Sequence, residues 1–280
     1  MRPVAIATAA GADDPDEAVL VAALARHGLA GEARVWSQEA VPWDDYAQVV
    51  VRSTWDYTRQ PAAFLAWIRA RRTILNPAAA LVYSTDKHYL VDLTSRGLPA
   101  VPTAVVEVGA AREWPPGDVV VKPAIGAGSL GAARFAAADV VGARAHVAAL
   151  HARGLAAIVQ PYRASVETRG ELALIYLGGR LSHAVRKDAL LSHAEHERTP
   201  ALRRAGIRAE PADGAAREVG DAVLATLGFA DLAYARVDLL AHEGSWQVLE
   251  LELVEPMLYL GYQPGAADAL AAAIAERTPA

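Results

Sequence analysis

Arg236-Val-Asp238 and Trp246-Gln-Val-Leu-Glu250-Leu-Glu252-Leu-Val-Glu255-Pro256 are the two stretches that decide the fold of this chain. In the second stretch, the alternation of a β-strand places Glu250 and Glu252 on one face together with two valines. Three leucines cover the other face, so both faces are largely apolar, as in a buried strand. Carboxylates inside such a strand are costly unless a cation meets them, which indicates a binding site.

The run 236–240 also predicts a strand, which the turn Ala241-His-Glu-Gly-Ser245 joins to the next one. In this hairpin we expect Asp238 to lie diagonal to Glu250, roughly 7–8 Å away on the same face. Asp238, Glu250 and Glu252 then offer three hard oxygen ligands, which suit Mg²⁺ and leave coordination positions for phosphate oxygens. A solvated strand carrying acids is the alternative, and the flanking valines and leucines argue against an exposed face.

The composition is that of a globular protein and excludes several classes of function. The 280 residues are 53% hydrophobic and 21% charged, and a net charge of −5 gives no basic footprint for nucleic acid. The absence of cysteine excludes disulfides, a cysteine-based zinc site and a thiol nucleophile. The sequence has neither a signal-peptide pattern nor the roughly 18 uninterrupted apolar residues of a membrane span, so we expect a cytoplasmic chain without a membrane partner.

Strand and helix patterns alternate through roughly the first 80 residues, which predicts a small α/β lobe with a parallel sheet. Two α+β lobes follow, the last of which contains a hairpin over Gly178-Gly179 and the acidic hairpin. The polar stretch 190–211 predicts a loop with short helical pieces. Beyond residue 83, we predict helices over 84–96, 138–153, 214–227 and 264–277, and strands over 105–107, 119–122, 132–135, 156–160, 171–177 and 180–186.

Arg52-Ser-Thr-Trp-Asp-Tyr57 directly follows a predicted strand of the first lobe. Loops after the carboxyl ends of strands carry ligands in open α/β sheets, and Arg52 offers a planar fork for a carboxylate. We therefore predict substrate contacts at Arg52, Ser53, Trp55 and Asp56. The alternative is a loop that enters a helix, with Ser53 or Thr54 as its cap and Trp55 packed in the core.

Gly126-Ala-Gly128-Ser-Leu-Gly131 matches the dinucleotide-binding pattern Gly-x-Gly-x-x-Gly and follows a strand. That pattern should open a long helix and precede an acid by about 20 residues, whereas here a strand follows and the acid is missing. We favour a flap between two strands that lays backbone N–H groups and the Ser129 hydroxyl over phosphates. Lys122 ends the preceding apolar strand, where its ammonium group could bind a phosphate. The alternative is a lysine at a strand end whose side chain extends to solvent.

Two further groups of polar residues could suggest a zinc site or a hydrolase site, but neither has the required pattern. Ser192-His-Ala-Glu195-His-Glu197 lacks the His-Glu-x-x-His spacing of a zinc site. Ser182 and His183 suggest a nucleophile and its base, but neighbouring strand residues point to opposite faces, so we expect them not to meet.

Taken in order, these motifs resemble the ATP-grasp superfamily of carboxylate–amine ligases from about residue 84 onward. The resemblance implies an ATP-grasp fold of the α/β and α+β class, with ATP between the central and C-terminal lobes. It implies domains over 1–83, 84–161 and 162–280. For single residues it implies ATP contacts at Lys87, Lys122, Gly128, Ser129, Gln160, Tyr162, Glu167, Glu171 and Lys187, catalytic roles for Arg236 and Lys187, and metal ligands at Asp238, Glu250 and Glu252.

The resemblance also implies a mechanism, in which ATP phosphorylates a small-molecule carboxylate and an amine-type nucleophile displaces phosphate. Two Mg²⁺ ions are expected, although many family members carry asparagine where this chain has Glu252. Three motifs resemble a glutathione-synthetase-like bacterial subgroup: residues 52–57, Ser182-His-Ala-Val185 and the segment 250–256. One member type of that subgroup closes O-ureido-D-serine toward D-cycloserine, an antibiotic. A two-substrate amino-acid or peptide ligase and a non-catalytic nucleotide-binding relative are the alternatives, and a homodimer is one candidate assembly.

Overall fold

The computed structural model describes residues 2–111, 113–191 and 204–279, which form three β-sheets with helices around them. The motif 192–197 considered above as a metal site, and most of the predicted loop 190–211, lie outside the described residues. No helix in the described ranges is long and apolar enough to cross a membrane.

The N-terminal sheet is parallel, as predicted, with strand order β2-β1-β3-β4. Its two central strands consist mostly of small and branched apolar residues and are buried along their whole length, which suits strands covered on both faces. The elements are β1 (Val4–Thr8), α1 (Pro15–Arg26), β2 (Gly31–Val35), β3 (Gln48–Val51), α2 (Pro61–Arg69), β4 (Ile74–Leu75) and α3 (Ala78–Thr85).

The central sheet is antiparallel, with strand order β5-β8-β6-β7. One long helix covers it, and the Asp139 side chain caps that helix by accepting a hydrogen bond from the Gly142 N–H. The elements are α4 (Tyr89–Ser95), β5 (Ala104–Val106), β6 (Val119–Pro123), β7 (Ala133–Phe135), α5 (Val140–Ala152) and β8 (Ala157–Pro161).

The C-terminal sheet is also antiparallel, with strand order β11-β10-β9-β12-β13. Its central strand β12 is buried at every position but the last, because β9 and β13 flank it and helices cover the sheet. The elements are α6 (Ser165–Arg169), β9 (Glu171–Leu177), β10 (Arg180–Lys187), β11 (Ile207–Ala209), α7 (Gly214–Leu227), β12 (Tyr234–His242), β13 (Ser245–Glu252) and α8 (Ala266–Arg277).

The register of the acidic hairpin differs from the prediction. Asp238 lies directly opposite Glu250, not diagonal to it, and Arg236 lies directly opposite Glu252. The reason is a β-bulge between Asp238 and Leu239, which inserts one extra residue into the opposite strand and shifts the pairing. Asp238 and Glu250 therefore lie closer together than they would in the predicted diagonal arrangement.

The helix predicted over 84–96 is two helices, α3 and α4. The chain is extended at Asp86 (φ −115°, ψ 121°), so the first helix ends there. The Lys87 N–H then donates a hydrogen bond to the Ala124 carbonyl, 2.9 Å away. This break turns the Lys87 side chain toward the central sheet instead of leaving it on a helix surface.

The expectation that Ser182 and His183 do not meet is wrong. A β-bulge between Leu181 and His183 disturbs the strand alternation, and His183 Nδ1 lies 3.0 Å from Ser182 Oγ. Nε2 of the same ring lies 3.0 Å from the Leu258 carbonyl. Neither residue lines the large cavity described below, so the pair does not form part of that site.

Asn76 connects the N-terminal sheet to the C-terminal sheet. Its side-chain NH₂ group donates to the carbonyls of Tyr234 and Leu253, both at 2.9 Å, and its oxygen accepts from the Ala233 N–H at 2.8 Å. Asn76 is fully buried, so water cannot replace these partners when the amide is removed.

We therefore expect Asn76→Ala to lower the free energy of unfolding by about 3 kcal/mol, because it leaves three buried backbone groups unsatisfied. Urea denaturation followed by circular dichroism measures the change. Gln263→Ala removes an exposed amide and should leave the unfolding curve in place. Equal stability of the wild type and Asn76→Ala would show that Asn76 does not tie the two sheets together.

Candidate active site

A cavity of about 830 Å³ lies where the three sheets meet. The central sheet supplies one wall, β10 and the acidic hairpin supply another, and loops of the N-terminal lobe close one side. Twelve of the predicted site residues line it: Trp55, Lys87, Lys122, Gly128, Ser129, Gln160, Tyr162, Glu171, Lys187, Arg236, Glu250 and Glu252.

Three carboxylates come together on the acidic hairpin. Asp238, Glu250 and Glu252 each offer an oxygen, and these oxygens all lie within 4.8 Å of one another. Asp238 is fully buried behind the cavity wall, whereas the two glutamates face the cavity. A set of hard oxygen donors at this spacing fits a Mg²⁺ ion.

Arg236 holds the buried acid in place. Its guanidinium donates to both carboxylate oxygens of Asp238, each at 2.9 Å, and to Glu252. A third contact, 3.1 Å long, reaches the Met257 carbonyl, and the Tyr259 ring lies 5.7 Å below the guanidinium carbon. Burial lowers the pKa of Arg236, but Asp238 and Glu252 together outweigh it, so the pKa lies well above its usual value and the group stays charged.

Two lysines bridge to the acids from other elements. Lys187, at the end of β10, lies 2.6 Å from Asp238 and 2.7 Å from Glu171. Lys87, at the break between α3 and α4, lies 2.9 Å from Glu250. Burial lowers the pKa of both ammonium groups, but the neighbouring acids together outweigh it and raise the pKa: Asp238 and Glu171 at Lys187, and mainly Glu250 at Lys87.

The glutamates of this cluster titrate in different ranges because their neighbours differ. Burial alone would raise the pKa of Glu250, but Lys87 and Lys122 lower it to about 2. Burial raises the pKa of Glu252 to about 7 against the pull of Arg236, since Glu250 and Asp238 repel its charge. Glu255, just beyond β13, has its pKa raised to about 8 by burial and by Glu252.

Lys122 differs from the other cavity cations. It lies on β6, lines the cavity, and forms no ion pair with any carboxylate in the part of the chain that the structure describes. Burial lowers the pKa of its ammonium group, and Glu250 acts against that shift from a longer range. A half-buried cation that faces a cavity and lacks a paired acid is suited to an anion such as a phosphate.

The glycine-rich flap closes over Lys87. Gly128, Ser129 and Gly131 all have positive φ, which turns the backbone tightly between β6 and β7. The Lys87 ammonium donates to the Gly126 carbonyl at 2.7 Å and so fixes the start of the flap. The turn leaves backbone groups and the Ser129 side chain on the cavity wall, where phosphates can be bound.

Gln160 and Tyr162, for which the resemblance implies ATP contacts, also lie on the cavity wall. Gln160 is 2% exposed, and its side-chain NH₂ donates to Thr103 Oγ at 3.0 Å. Tyr162 follows it, with the guanidinium of Arg134 3.7 Å above its ring. The Tyr162 hydroxyl donates to Glu167 at 2.7 Å, and Glu167 faces this cluster and not the cavity.

The N-terminal loop places its predicted substrate residues on two sides of the wall. Trp55 lines the cavity, and its indole N–H donates to the Glu255 carbonyl at 3.1 Å. Asp56 accepts from the Trp36 indole at 2.7 Å, and Ser53 lies 2.8 Å from Thr8 Oγ. These two do not reach the cavity, and the anticipated side-chain cap of a following helix is absent at its first residue, Thr54.

Arg52 also stays behind the wall. It is 2% exposed, its guanidinium lies 5.4 Å from the Tyr234 ring, and Asp16 and Asp14 lie 3.8 and 4.0 Å away. The structure therefore brings Trp55 to the cavity, places Arg52 against Tyr234 of the C-terminal lobe, and leaves Ser53 and Asp56 bonded within the N-terminal lobe. Their contact with a substrate stays a prediction.

Several cavity residues were missed from the sequence. The loop 11–13 follows β1, and the rule that ligands bind after the carboxyl ends of parallel strands could have found it. Glu255, Met257 and Tyr259 follow β13 and also line the cavity. Glu255 could have been predicted as a site residue, because it is an acid that follows a buried strand. Nothing in the sequence marks Met257 or Tyr259 as cavity residues.

The titration of Glu255 gives a prediction for the protein without ligands. Its folded pKa of about 8 lies above the usual 4.5, so the folded state holds more protons between these values, and stability falls as the pH rises. We expect the free energy of unfolding to decrease from pH 5 to pH 8 by up to about 1 kcal/mol per pH unit, and the decrease to be smaller in Glu255→Gln. Urea denaturation at four pH values measures it.

Glu276→Gln is the control for that measurement, because it removes a carboxylate whose side chain is 74% exposed. It should keep the slope of the wild type. The same slope in Glu255→Gln would show that the Glu255 carboxyl does not hold its proton in the folded state.

Comparison with known proteins agrees with this geometry. The profile of a family described as D-cycloserine synthetase DcsG, N-terminal domain, matches residues 4–76. The cycloserine biosynthesis protein DcsG of Streptomyces lavendulae is 35% identical over 283 residues, which cover 94% of each protein.

Solved structures share the whole architecture. The crystal structure of D-cycloserine synthetase DcsG covers 99% of both chains at 33% identity, with a TM-score of 0.90. D-alanine–D-alanine ligase from Bacillus anthracis, complexed with ATP, covers 99% of this chain and 97% of its own at a TM-score of 0.69. At 12% identity the second likeness shows the ATP-grasp fold alone. Because the DcsG likeness extends over nearly the full length at 35% identity, the chain belongs to the DcsG family of ATP-grasp ligases.

Proposed function

We propose that this protein closes O-ureido-D-serine to D-cycloserine, with ATP as the phosphoryl donor and Mg²⁺ in the site. The observation that carries the proposal is the near full-length likeness to a D-cycloserine synthetase, at 33% identity and a TM-score of 0.90. The cavity supports it, since anion-binding cations and metal-binding acids line one space of about 830 Å³. A drug-sized ligand fills a pocket of this order.

The residues present fit the nucleotide and the metal. We assign the flap, Lys87, Lys122 and Lys187 to the phosphates, and Gln160 and Tyr162 to the adenine end. Glu171 is the candidate for the ribose because it lines the cavity, and Glu167 is the second candidate after release from Arg134. Asp238, Glu250 and Glu252 would hold the two proposed Mg²⁺ ions, because each offers a hard carboxylate oxygen.

The reaction begins with transfer of a phosphoryl group from ATP to the substrate carboxylate, which yields an acyl-phosphate and ADP. Bound Mg²⁺ would supply charge neutralisation at the phosphate oxygens. The lysines add positive charge from fixed positions, which costs no reorganisation during the transfer. The flap keeps water away from the acyl-phosphate, which would otherwise hydrolyse.

The nitrogen bound to the substrate's side-chain oxygen then attacks the acyl carbon, and phosphate leaves as the ring closes. Arg236 would stabilise the negative oxygen that develops on that carbon. The ring of D-cycloserine holds a single nitrogen, so the remaining carbamoyl group is removed by one water as carbon dioxide and ammonia. No second amine substrate is needed, because the nucleophile and the carboxylate belong to one molecule.

The first test is release of ADP, phosphate and ammonia from ATP, Mg²⁺ and O-ureido-D-serine with no added amine. We expect the three products in equal amounts, and none without Mg²⁺. Release that requires a second amine would keep the ligase reaction and exclude cyclisation. No stimulation by this compound or by other amino acids, with ATP still bound, would identify a nucleotide-binding protein without ligase activity.

The second test concerns the metal site. Glu250→Gln keeps the size of the side chain but removes one charged ligand of the carboxylate cluster, so ATP turnover should fall by more than about 100-fold. Phosphate release measures turnover, and circular dichroism confirms that the variant is folded.

Glu243→Gln serves as the matched control, since this glutamate lies in the hairpin turn with its side chain 84% exposed. Its turnover should equal that of the wild type. Unchanged turnover in Glu250→Gln would remove Glu250 from the metal site.

A further inference from the structure

We propose that Glu255 binds the ammonium group of an amino-acid substrate. Only the identity of that substrate, O-ureido-D-serine, rests on the proposed function. The assignment goes beyond the residues placed above, which account for the phosphates, the metal and the reacting carboxylate. It identifies the part of the cavity that distinguishes an α-amino acid from a simple carboxylic acid.

The first argument is the pairing of charges. Four other carboxylates of the site each have a cationic partner: Glu171 with Lys187, Asp238 with Arg236 and Lys187, Glu250 with Lys87, and Glu252 with Arg236. Within the described ranges, the Glu255 side chain forms no ion pair and accepts no hydrogen bond. It is the acid of this cluster that still needs a cation.

The second argument is burial. Glu255 is 7% exposed, yet its side chain lines the cavity, so it faces the place where a ligand binds and not bulk water. A buried carboxyl without a partner keeps its proton, and a ligand ammonium placed against it would allow it to ionise and form an ion pair. An ammonium group is the cation that an amino-acid substrate brings.

The third argument is position. Asp238, Glu250 and Glu252 form the carboxylate group suited to a metal, and Glu255 does not belong to it. Glu252 and Lys87 nevertheless act on the charge of Glu255, so it lies near the reacting centre. In an α-amino acid the ammonium group is attached one carbon away from the carboxylate, which requires such a neighbouring position.

The N-terminal lobe fixes Glu255 in that position. The Trp55 indole donates to the Glu255 carbonyl at 3.1 Å, and Trp55 and Tyr57 line the cavity beside it. Their rings exclude water around the carboxyl, which strengthens its attraction for a ligand cation. The ammonium would thus be held between the end of β13 and the loop that follows β3.

The test compares O-ureido-D-serine with its des-amino analogue, 3-(ureidooxy)propanoate, in the wild type, Glu255→Gln and the control Glu243→Gln. We expect the wild type and the control to favour the amino acid in kcat/KM by about 10–100-fold, the range of a hydrogen bond to a charged group. In Glu255→Gln the KM for the amino acid should rise by about the same factor, with kcat and the KM for ATP little changed. The preference for the amino acid should disappear.

Two results would overturn the assignment while leaving the ligase reaction intact. One is a Glu255→Gln variant that keeps the preference of the wild type. The other is an equal loss of kcat with both compounds, which would indicate that Glu255 acts as a base or a metal ligand.

If neither compound stimulates phosphate release in the wild type, the proposed cyclisation is wrong, and binding tests Glu255 independently. Calorimetry with Mg²⁺ and a non-hydrolysable ATP analogue compares D-serine with D-glycerate. Binding of D-serine alone, lost in Glu255→Gln but kept in Glu243→Gln, supports the ammonium site. Equal binding of the two compounds to the wild type, or binding of neither, overturns it.

Discussion

The contact between Arg236 and Asp238 is the interaction on which the site depends. Asp238 is fully buried in β12, which lies between β9 and β13. Removing the partner of a buried charge lowers the free energy of unfolding by about 3–5 kcal/mol, because the remaining charge is left unpaired. Arg236, two residues away, shares its strand face and donates to both of its oxygens. Because β13 pairs with β12 in direct register, Glu252 and Glu250 are brought opposite this pair.

This arrangement makes the cavity a network of exchangeable ion pairs. Lys187 and Lys87 contact acids that are also the candidate metal ligands, while Lys122 is held without such a partner. A divalent cation bound to the acids would take over the role of the lysines, and the lysines would become available to phosphates. The charges that stabilise the unliganded fold are therefore the ones that nucleotide and metal would redistribute.

Strand alternation and strand–helix order predicted the parallel sheet and the acidic hairpin, whereas the resemblance to the ATP-grasp superfamily supplied most of the predicted cavity residues. They failed where a local irregularity decides the geometry: one bulge pairs Asp238 directly with Glu250, another brings Ser182 to His183, and an extended residue at Asp86 divides a predicted helix. They also could not give the direction of loop side chains. Arg52 turns toward Tyr234, and Asp56 is bound by Trp36, because tertiary packing offers them these partners.

The residues that we assign to the metal and those that we assign to the substrate lie in different parts of the fold, and one segment connects them. Arg236, Asp238, Glu250 and Glu252 lie on β12 and β13, but the chain after β13 is held by the N-terminal lobe. Asn76 donates to the Leu253 carbonyl, Trp55 to the Glu255 carbonyl, and Asp16 accepts from the N–H groups of Leu258 and Leu260. Under the proposed roles, substitutions in the N-terminal lobe would move Glu255 relative to the carboxylates of β12 and β13. They would therefore change the binding of the substrate and leave the residues assigned to phosphoryl transfer in place.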